Sequence, residues 1–356
     1  MNAAGARFAM DGAGAIAVRE LAARDAARWD AFVMDCAQAS FFHRAGWKTL
    51  LEEVFGHRTF FLYAERAGEI EGVLPLARVK SRLFGDALVS LPFCVYGGVA
   101  ADNEEAAAAL EQAADATARR LGVEHLELRH REMRHPDWPS QDLYVTFRKS
   151  ILPKVEDNLA AIPRKQRAMV RKGIRNGLRS EIDADFGRFF DLFADNVHRH
   201  GTPALPRRYF ERLLEVFGEA CEVLTVTDKD GHPVSAVLSF RFRDEILPYY
   251  AGDAPAAREL AANDFKYWEL MRRACEQGCK VFDYGRSKRG TGSFDFKKNW
   301  GFEPQPLHYE FRLYRREAIP QNNPSNPKYK AFIALWRRLP RGLANRLGPY
   351  IVRNLG

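Results

Sequence analysis

One succession of segments occurs twice in this chain: strand, tight turn, strand, strand, then helix, glycine and strand. Any fold that houses both copies is built from two similar halves. In the first copy Phe60-Phe61-Leu62-Tyr63 leads through Ala67-Gly68 to Gly72-Val73-Leu74-Pro75-Leu76, and later to Val95-Tyr96-Gly97-Gly98. In the second, Val223-Leu224-Thr225-Val226 leads through Asp230-Gly231 to Ala236-Val237-Leu238-Ser239-Phe240, and later to Pro248-Tyr249-Tyr250-Ala251-Gly252. A helix-forming stretch follows in each, Glu104 to Arg120 and Phe265 to Glu276, and each meets a glycine, Gly122 or Gly278, where a left-handed helix terminus belongs. The short apolar strands His125-Leu126-Glu127-Leu128 and Val281-Phe282-Asp283-Tyr284 come next. The glycines stand 156 residues apart (122 to 278) and Val73 and Val237 stand 164 apart, so the copies differ by a few loop residues.

Antiparallel strands, one packed helix and a further strand make an α+β arrangement, not a doubly wound sheet. At 356 residues the chain suits two domains. The boundary is expected in the polar stretch 151–163, between Pro153 and Pro163, with the first domain at 1–150 and the second at 164–318. Phe186, Phe189, Phe190, Phe193 and Val197 have helical spacing, and 319–356 reads as a proline-containing linker and a basic tail. The longest stretch free of charge, Ala87 to Ala101, is 15 residues and broken by Pro92, Gly97 and Gly98, too short to span a membrane. Arg7, Asp11, Arg19 and Glu20 interrupt the N-terminal residues, so no signal peptide is expected. Five cysteines suit reduced thiols and a cytoplasmic protein, either free or peripheral on the inner face of the membrane.

The formal charge of +8 is concentrated in two places. Residues 164–179 hold seven cations and no acid, and residues 325–356 hold another seven with none, which leaves 40 of the 54 Lys and Arg against 46 Asp and Glu elsewhere. On a helix from Arg164, the cations would take one broad side with Val170 and Ile174 on the other, a surface suited to phosphate. The tail mixes its cations with Phe332, Ile333, Leu335 and Trp336, which suits either an anionic membrane surface or docking through Trp336 onto the second domain. A third cationic feature is the glycine-rich loop after Asp283. Gly285 and Gly290 have P-loop spacing, but Thr291 stands where the lysine is needed, so a nucleotide triphosphatase is disfavoured. Asp283 reads equally as a loop-capping carboxylate or a catalytic one. The histidines, and Cys275 with Cys279, have no zinc spacing, and no Gly-x-Ser-x-Gly elbow is present, so neither metal nor serine chemistry is expected.

The segment Asp283 to Phe302 with Phe296-Lys297, the upstream Asn263-Asp264-Phe265-Lys266-Tyr267-Trp268, the basic stretch from Arg164 and the early Phe41-Phe42-His43-Arg44-Ala45-Gly46-Trp47-Lys48 together resemble the FemAB family. The likeness covers nearly the whole chain and is narrowest to the branch associated with exosortase and PEP-CTERM surface systems. It implies two tandem acetyltransferase-like (GNAT) domains, each a mixed, mostly antiparallel sheet with flanking helices. It also implies amide formation, an aminoacyl group passing from tRNA to an amine of a peptidoglycan precursor, or here of an exopolysaccharide or other envelope precursor.

By the same resemblance Lys297 steadies negative charge at the acyl group, Asp283 is the aligned carboxylate, and Trp47-Lys48 sit where a substrate phosphate is held. Phosphate or tRNA contacts are expected at Arg164, Arg167, Arg171, Arg286 and Lys288, beside Phe296. For the base, Asp295 and His308 stand near Asp283 in sequence. The Arg/Gln-x-x-Gly-x-Gly/Ala loop of coenzyme A-binding members is absent from 254–263, so the donor is either aminoacyl-tRNA or an acyl-CoA, with no metal. The acceptor is a phosphate-bearing or lipid-linked small molecule or glycan. The competing readings are an acyl-CoA-dependent N-acyltransferase of the same fold and a non-catalytic binding module at the membrane surface.

Overall fold

The computed structural model describes residues 14–81, 85–320 and 327–354. The signal-peptide reading of residues 1–13 and the loop reading of 321–326 therefore concern segments outside the described residues. In chain order the first elements are β1 (Ala17–Glu20), α1 (Ala26–Asp35), α2 (Gly46–Glu53), β2 (Arg58–Arg66), β3 (Glu69–Ser81), β4 (Gly85–Ser90), β5 (Ala100–Ala101), α3 (Glu104–Leu121), β6 (His125–His130) and β7 (Ser140–Gln141). There follow β8 (Tyr144–Ser150), α4 (Val155–Ala161), α5 (Arg164–Arg175), β9 (Arg179–Asp183), α6 (Gly187–His200), α7 (Arg207–Phe217), β10 (Cys221–Thr227), β11 (Pro233–Phe242) and β12 (Glu245–Asp253). The rest are α8 (Ala257–Leu260), α9 (Ala262–Glu276), β13 (Val281–Asp283), β14 (Ser287–Lys288), α10 (Gly292–Asn299), β15 (Pro304–Pro306), β16 (His308–Leu313), α11 (Pro327–Trp336) and α12 (Arg341–Val352).

Two sheets organise these elements among the described residues. One has the order β1-β2-β3-β4-β6-β16-β7, with β5 on β3. The other has the order β14-β8-β13-β12-β11-β10-β9, with β15 on β8. Each contains a single parallel pair, β4 with β6 and β12 with β13, flanked by antiparallel ladders. This is the tandem mixed-sheet architecture that the duplication implies. The linking helices start and stop for local reasons. Asn103 accepts a bond from the Ala106 N–H at 2.9 Å, Glu104 and Glu105 occupy the first turn of α3, and Gly122 closes it at φ +62°. Gly278 follows α9 at φ +78°, the same device in the second copy.

The halves are not cut where the boundary was expected. One compact unit takes the chain up to Gln141 plus Leu307–Pro320, and the other takes Asp142–Pro306 plus the C-terminal helices. The reason is a reciprocal exchange of strands. β8 follows the first copy in sequence but pairs with β13, while β16 follows the second copy and pairs with β6 over six residues. The stretch 151–163 is not a bare linker either, because it carries α4, with Asn158 and Ile162 buried. In the first copy the third strand is β4, not Val95 to Gly98. A Cβ at Gly98 would come within 1.9 Å of the His130 ring, so the chain there runs as a loop pressed against that side chain.

In the second unit α6 lies on the sheet through its phenylalanine stripe. Phe189 and Phe193 meet Phe210 of α7, and Phe193 and Phe210 both pack edge-on to Tyr250. The helix approaches so closely that a Cβ on Gly252 of β12 would stand 2.3 Å from the Phe193 backbone nitrogen. Gly252→Ala should therefore lower the unfolding free energy by about 1–3 kcal/mol in a urea titration, since helix and strand must separate. Gly292→Ala, where a Cβ meets nothing within 4 Å, should change it by less than about 0.5 kcal/mol.

Candidate functional site

The parallel strands of the second unit part company early. β12 and β13 pair only at Glu245 with Val281 and Ile246 with Phe282. Farther along, a register shift against β11 lies between Leu238, opposite Tyr250, and Ser239, opposite Pro248. Beyond the last pair the first two turns of α9 bridge the divergent ends. On the β12 side, the buried Lys266 ammonium donates to Asp253 at 2.9 Å, and Ser235 donates to the same carboxylate. On the β13 side Tyr267 packs on Tyr284 at 4.7 Å, and Phe296 lies 5.7 Å from Tyr267.

Asp264, in the first turn of α9, accepts a bond from the Trp300 indole at 2.9 Å. Burial pushes its carboxyl above the usual range, against the pull of that bond. The Tyr284 hydroxyl is fully buried and has no hydrogen-bond partner among the described residues. A carboxyl with a raised pKa and an unused buried hydroxyl, both adjoining the Trp300 ring, form the kind of environment in which proton transfer can be tuned. Sequence reasoning gave Asp264 and Tyr284 no chemical role. An acid in a first helical turn reads as an ordinary response to the helix dipole, and only the three-dimensional packing reveals its desolvation.

Asp283 has the loop-capping role. Its side chain is wholly buried, and it accepts bonds from Arg148 at 2.6 Å, from Thr146 at 3.3 Å and from the Gly285 N–H at 2.8 Å. Lys297 projects from α10 beneath the same loop. Its ammonium donates to the carbonyls of Tyr284, Gly285 and Arg286 at 2.7, 3.0 and 3.1 Å. An ammonium has three N–H groups, so this arrangement uses them all and leaves none for an oxyanion. Burial pushes Lys297 down to about 7, with Asp283 raising it and Arg286 lowering it. Three carbonyl acceptors nevertheless demand three N–H donors, so the cage is built for the charged form. Gly285, at φ +65°, lets successive carbonyls turn toward one point.

The remaining expected residues divide between the units. Phe296 belongs to the aromatic cluster, Lys288 lies on β14, and Arg286 is exposed with its guanidinium over the Tyr144 ring at 4.5 Å. Arg164, Arg167 and Arg171 lie on α5 with Lys165, Lys172 and Arg175, while Arg179 begins β9, and none of these seven cations has an ion-pair partner among the described residues. Arg167 donates to the Ala160 carbonyl at 2.8 Å. α5 docks on α9 through Val170 and Gly173, where a Cβ would meet Phe265 at 2.8 Å. That contact turns Ile174 outward to half exposure, contrary to the expected inward stripe.

Trp47 and Lys48 are in the other unit. Trp47 is core, its indole bonded to the Phe41 carbonyl at 3.1 Å, and Lys48 is held by Glu52 and by Thr59. Of the other base candidates, Asp295 is exposed on α10 and His308 lies on β16 of that other unit. A cavity of about 290 Å³ in the second unit is lined by Lys149, Met271, Trp300, Phe302 and residues of α4. It does not include the Lys297 cage. One group of described side chains, Asp228, Asp230 and His232, could gather three ligand atoms, but Asp228 already accepts bonds from the Asp230 and His232 N–H groups of its own turn.

Residues 164–298 match the family model described as an acetyltransferase (GNAT) domain. The structure is similar to that of FemX, with a TM-score of 0.64 and 16% identity over 84% of this chain and 97% of that one. It is similar to the C-terminal DUF2156 domain of a putative lysylphosphatidylglycerol synthetase from Agrobacterium fabrum, with a TM-score of 0.55 and 15% identity over 88% and 95%. A tandem GNAT protein from the clavulanic acid biosynthesis pathway gives 0.54 and 12% over 86% and 100%. No curated protein matches. Together these likenesses show a FemAB-like tandem GNAT fold, and the domain match within the second unit supports an acyltransferase.

The Lys297 cage makes a testable claim about stability. Lys297→Met should cost about 2–4 kcal/mol in chemical unfolding, because it strands buried carbonyls. Lys298→Met, at an exposed neighbour, should cost little. Equal effects at the two positions would show that Lys297 does not clamp the loop.

Proposed function

We propose that this chain transfers an aminoacyl group from tRNA to an amine of a cell-envelope or exopolysaccharide precursor. The amine nitrogen attacks the ester carbonyl carbon, the tetrahedral oxyanion collapses, the ribose hydroxyl leaves, and the proton lost by the amine is returned to it. One observation carries the choice of donor: α5 presents cations without a single acidic partner among the described residues, on a helix fixed against α9. A surface of that kind repels itself until a polyanion covers it. In the segment between β12 and α9 the N–H groups of Ala254, Ala257, Leu260 and Ala261 are already donated to Val234, Ala254, Ala256 and Arg258, which reduces the backbone donors on offer to a coenzyme A pyrophosphate. The relative named for lysylphosphatidylglycerol synthesis supports a donor of the aminoacyl kind. The acetyltransferase domain match favours the alternative, an acyl-CoA-dependent N-acyltransferase.

In this reading Asp264 takes the proton from the amine, Lys297 and Asp283 position the 284–286 loop, and Arg286 and Lys288 meet donor phosphates. The acceptor amine approaches along the gap between β12 and β13, where the aromatic rings exclude water.

Incubation with isotopically labelled aminoacyl-tRNA or acyl-CoA and an amine acceptor, followed by mass spectrometry, separates the donors. Arg164→Glu with Arg171→Glu should weaken tRNA binding at least about tenfold and flatten its salt dependence. The fold should survive, since both side chains are exposed. Turnover with acyl-CoA that ignores this double change would establish the alternative.

Asp264 gives a second test. Its folded pKa is raised above the unfolded value, so the stability it contributes is present at low pH and lost as the pH rises through the raised value. Asp264→Asn should therefore stabilise the protein at neutral pH and make no difference below about pH 4. The same change should lower turnover and abolish its decline on the acid side. Stabilisation with unchanged turnover would leave Asp264 a packing residue only.

A further inference from the structure

The two C-terminal helices present one face to the protein and a different kind of face to solvent. Their inner side is docked on the second unit. Trp336 is buried, Arg337 donates to the His200 carbonyl at 3.2 Å, and Gly201 and Gly348 sit so close to Ile333 and Ala204 that neither could carry a Cβ without movement. Ala344 and Gly348, one turn apart, form the inner seam of α12.

Docking leaves the large apolar side chains outside. Of the nine exposed large hydrophobic residues in the described chain, four lie on these helices: Leu335, Leu343, Leu347 and Tyr350. Such a concentration is not scattered surface chemistry. At about 100° per residue, Leu343, Leu347 and Tyr350 form one narrow ridge along α12, and Arg346 and Arg353 fall on a single flank of it. Arg341, facing the other way, is drawn toward Asp195 at 3.7 Å. No acid occurs anywhere in residues 325–356.

We infer that α12, with Leu335 of α11, lies on an anionic phospholipid surface, its Leu343–Leu347–Tyr350 ridge sunk among the headgroups and Arg346 and Arg353 held at the phosphates. The chemistry disfavours the usual competitor. A second copy laid on the same ridge would bring like-charged arginines together with no acid from residues 325–356 to offset them, whereas an anionic bilayer satisfies ridge and flank at once. Leucines enter the apolar boundary, tyrosine and arginine keep their polar ends in the headgroup layer, and the small-residue seam holds the helix flat against its own protein. No described helix is long and apolar enough to cross a membrane, so this contact is interfacial. It stands apart from the choice of donor, because it is read by binding alone.

The test is flotation of the full-length protein with vesicles of phosphatidylcholine containing phosphatidylglycerol, against phosphatidylcholine alone, with the oligomeric state followed by analytical ultracentrifugation. Binding to the anionic vesicles should be at least about tenfold tighter than to neutral ones and should fall with salt. Leu343→Asp with Leu347→Asp should abolish it while leaving thermal unfolding and transferase turnover on a soluble acceptor unchanged. Arg346→Glu with Arg353→Glu should remove the preference for anionic lipid. Absence of binding to the anionic vesicles, binding indifferent to the ridge substitutions, or a dimer that those substitutions dissolve would each overturn the inference.

Discussion

The Arg148 guanidinium holds three strands at one point. From β8 it donates to Asp283 at the end of β13 and to Glu245 at the start of β12, and it does so where Asp283 has no exposure to water. Buried pairs of this kind are weak evidence for net stability, but removing one partner leaves an uncompensated charge at a cost of about 3–5 kcal/mol. The strand that supplies Arg148 comes from beyond the first copy, so the exchange of β8 for β16 is what completes this half of the structure. From Asp283 the order spreads outward. The carboxylate fixes the Gly285 N–H, the turn aims three carbonyls inward, and the ammonium of Lys297 ties α10 beneath them.

Much of this was legible in the chain. Repeated strand-turn-strand patterns and the terminal glycines of α3 and α9 depend on local periodicity and backbone freedom, which sequence records directly. The exchange of strands was not legible, because β8 and β16 look alike as local patterns and only their pairing partners tell them apart. The boundary at 151–163 was drawn from Pro153 and Pro163, yet both prolines flank the packed helix α4. The reading of Lys297 and Asp283 as chemical groups followed residue type and resemblance. Their bond partners are mainly backbone carbonyls and a distant arginine, and neither kind leaves a mark in sequence. Asp264 escaped notice for the opposite reason: its position is ordinary, and only burial makes it unusual.

Charge shows a similar division between what is local and what is not. The cations of α5 and of the tail are contiguous, so their excess could be counted. Their roles differ through packing. α5 turns its cations to solvent because Val170 and Gly173 are consumed by α9. In the C-terminal helices the small residues are consumed instead, and the large apolar ones are left outside. The same excess charge thus becomes a bare polycationic face in one case and the flank of an apolar ridge in the other.

The two copies set different buried polar groups beside their sheets. In the first unit His43 bonds Ser40 and the Gly98 carbonyl, and His130 bonds the Val99 N–H and Glu310, so both nitrogens of each ring are occupied. Burial lowers His43 to about 4, which keeps it neutral and inert. Helix α3, the counterpart of α9, meets its sheet with Ala106, Ala107, Leu110 and Ala114. Helix α9 instead brings Asp264, Lys266 and Tyr267 to the parting strands, and beside them Tyr284 retains an unused hydroxyl. A buried group without a partner costs about 1–3 kcal/mol. The first copy avoids that cost at these histidines by closing its network. Among the described residues buried side-chain atoms without a partner occur in both units, at His125 in the first and at Ser239 and Arg273 in the second, and the Tyr284 hydroxyl is another, placed where β12 and β13 part. In the proposed reaction the Tyr284 hydroxyl finds its partner in the substrate, near the Asp264 carboxyl, and that pairing is the ground for assigning the chemistry to the second unit.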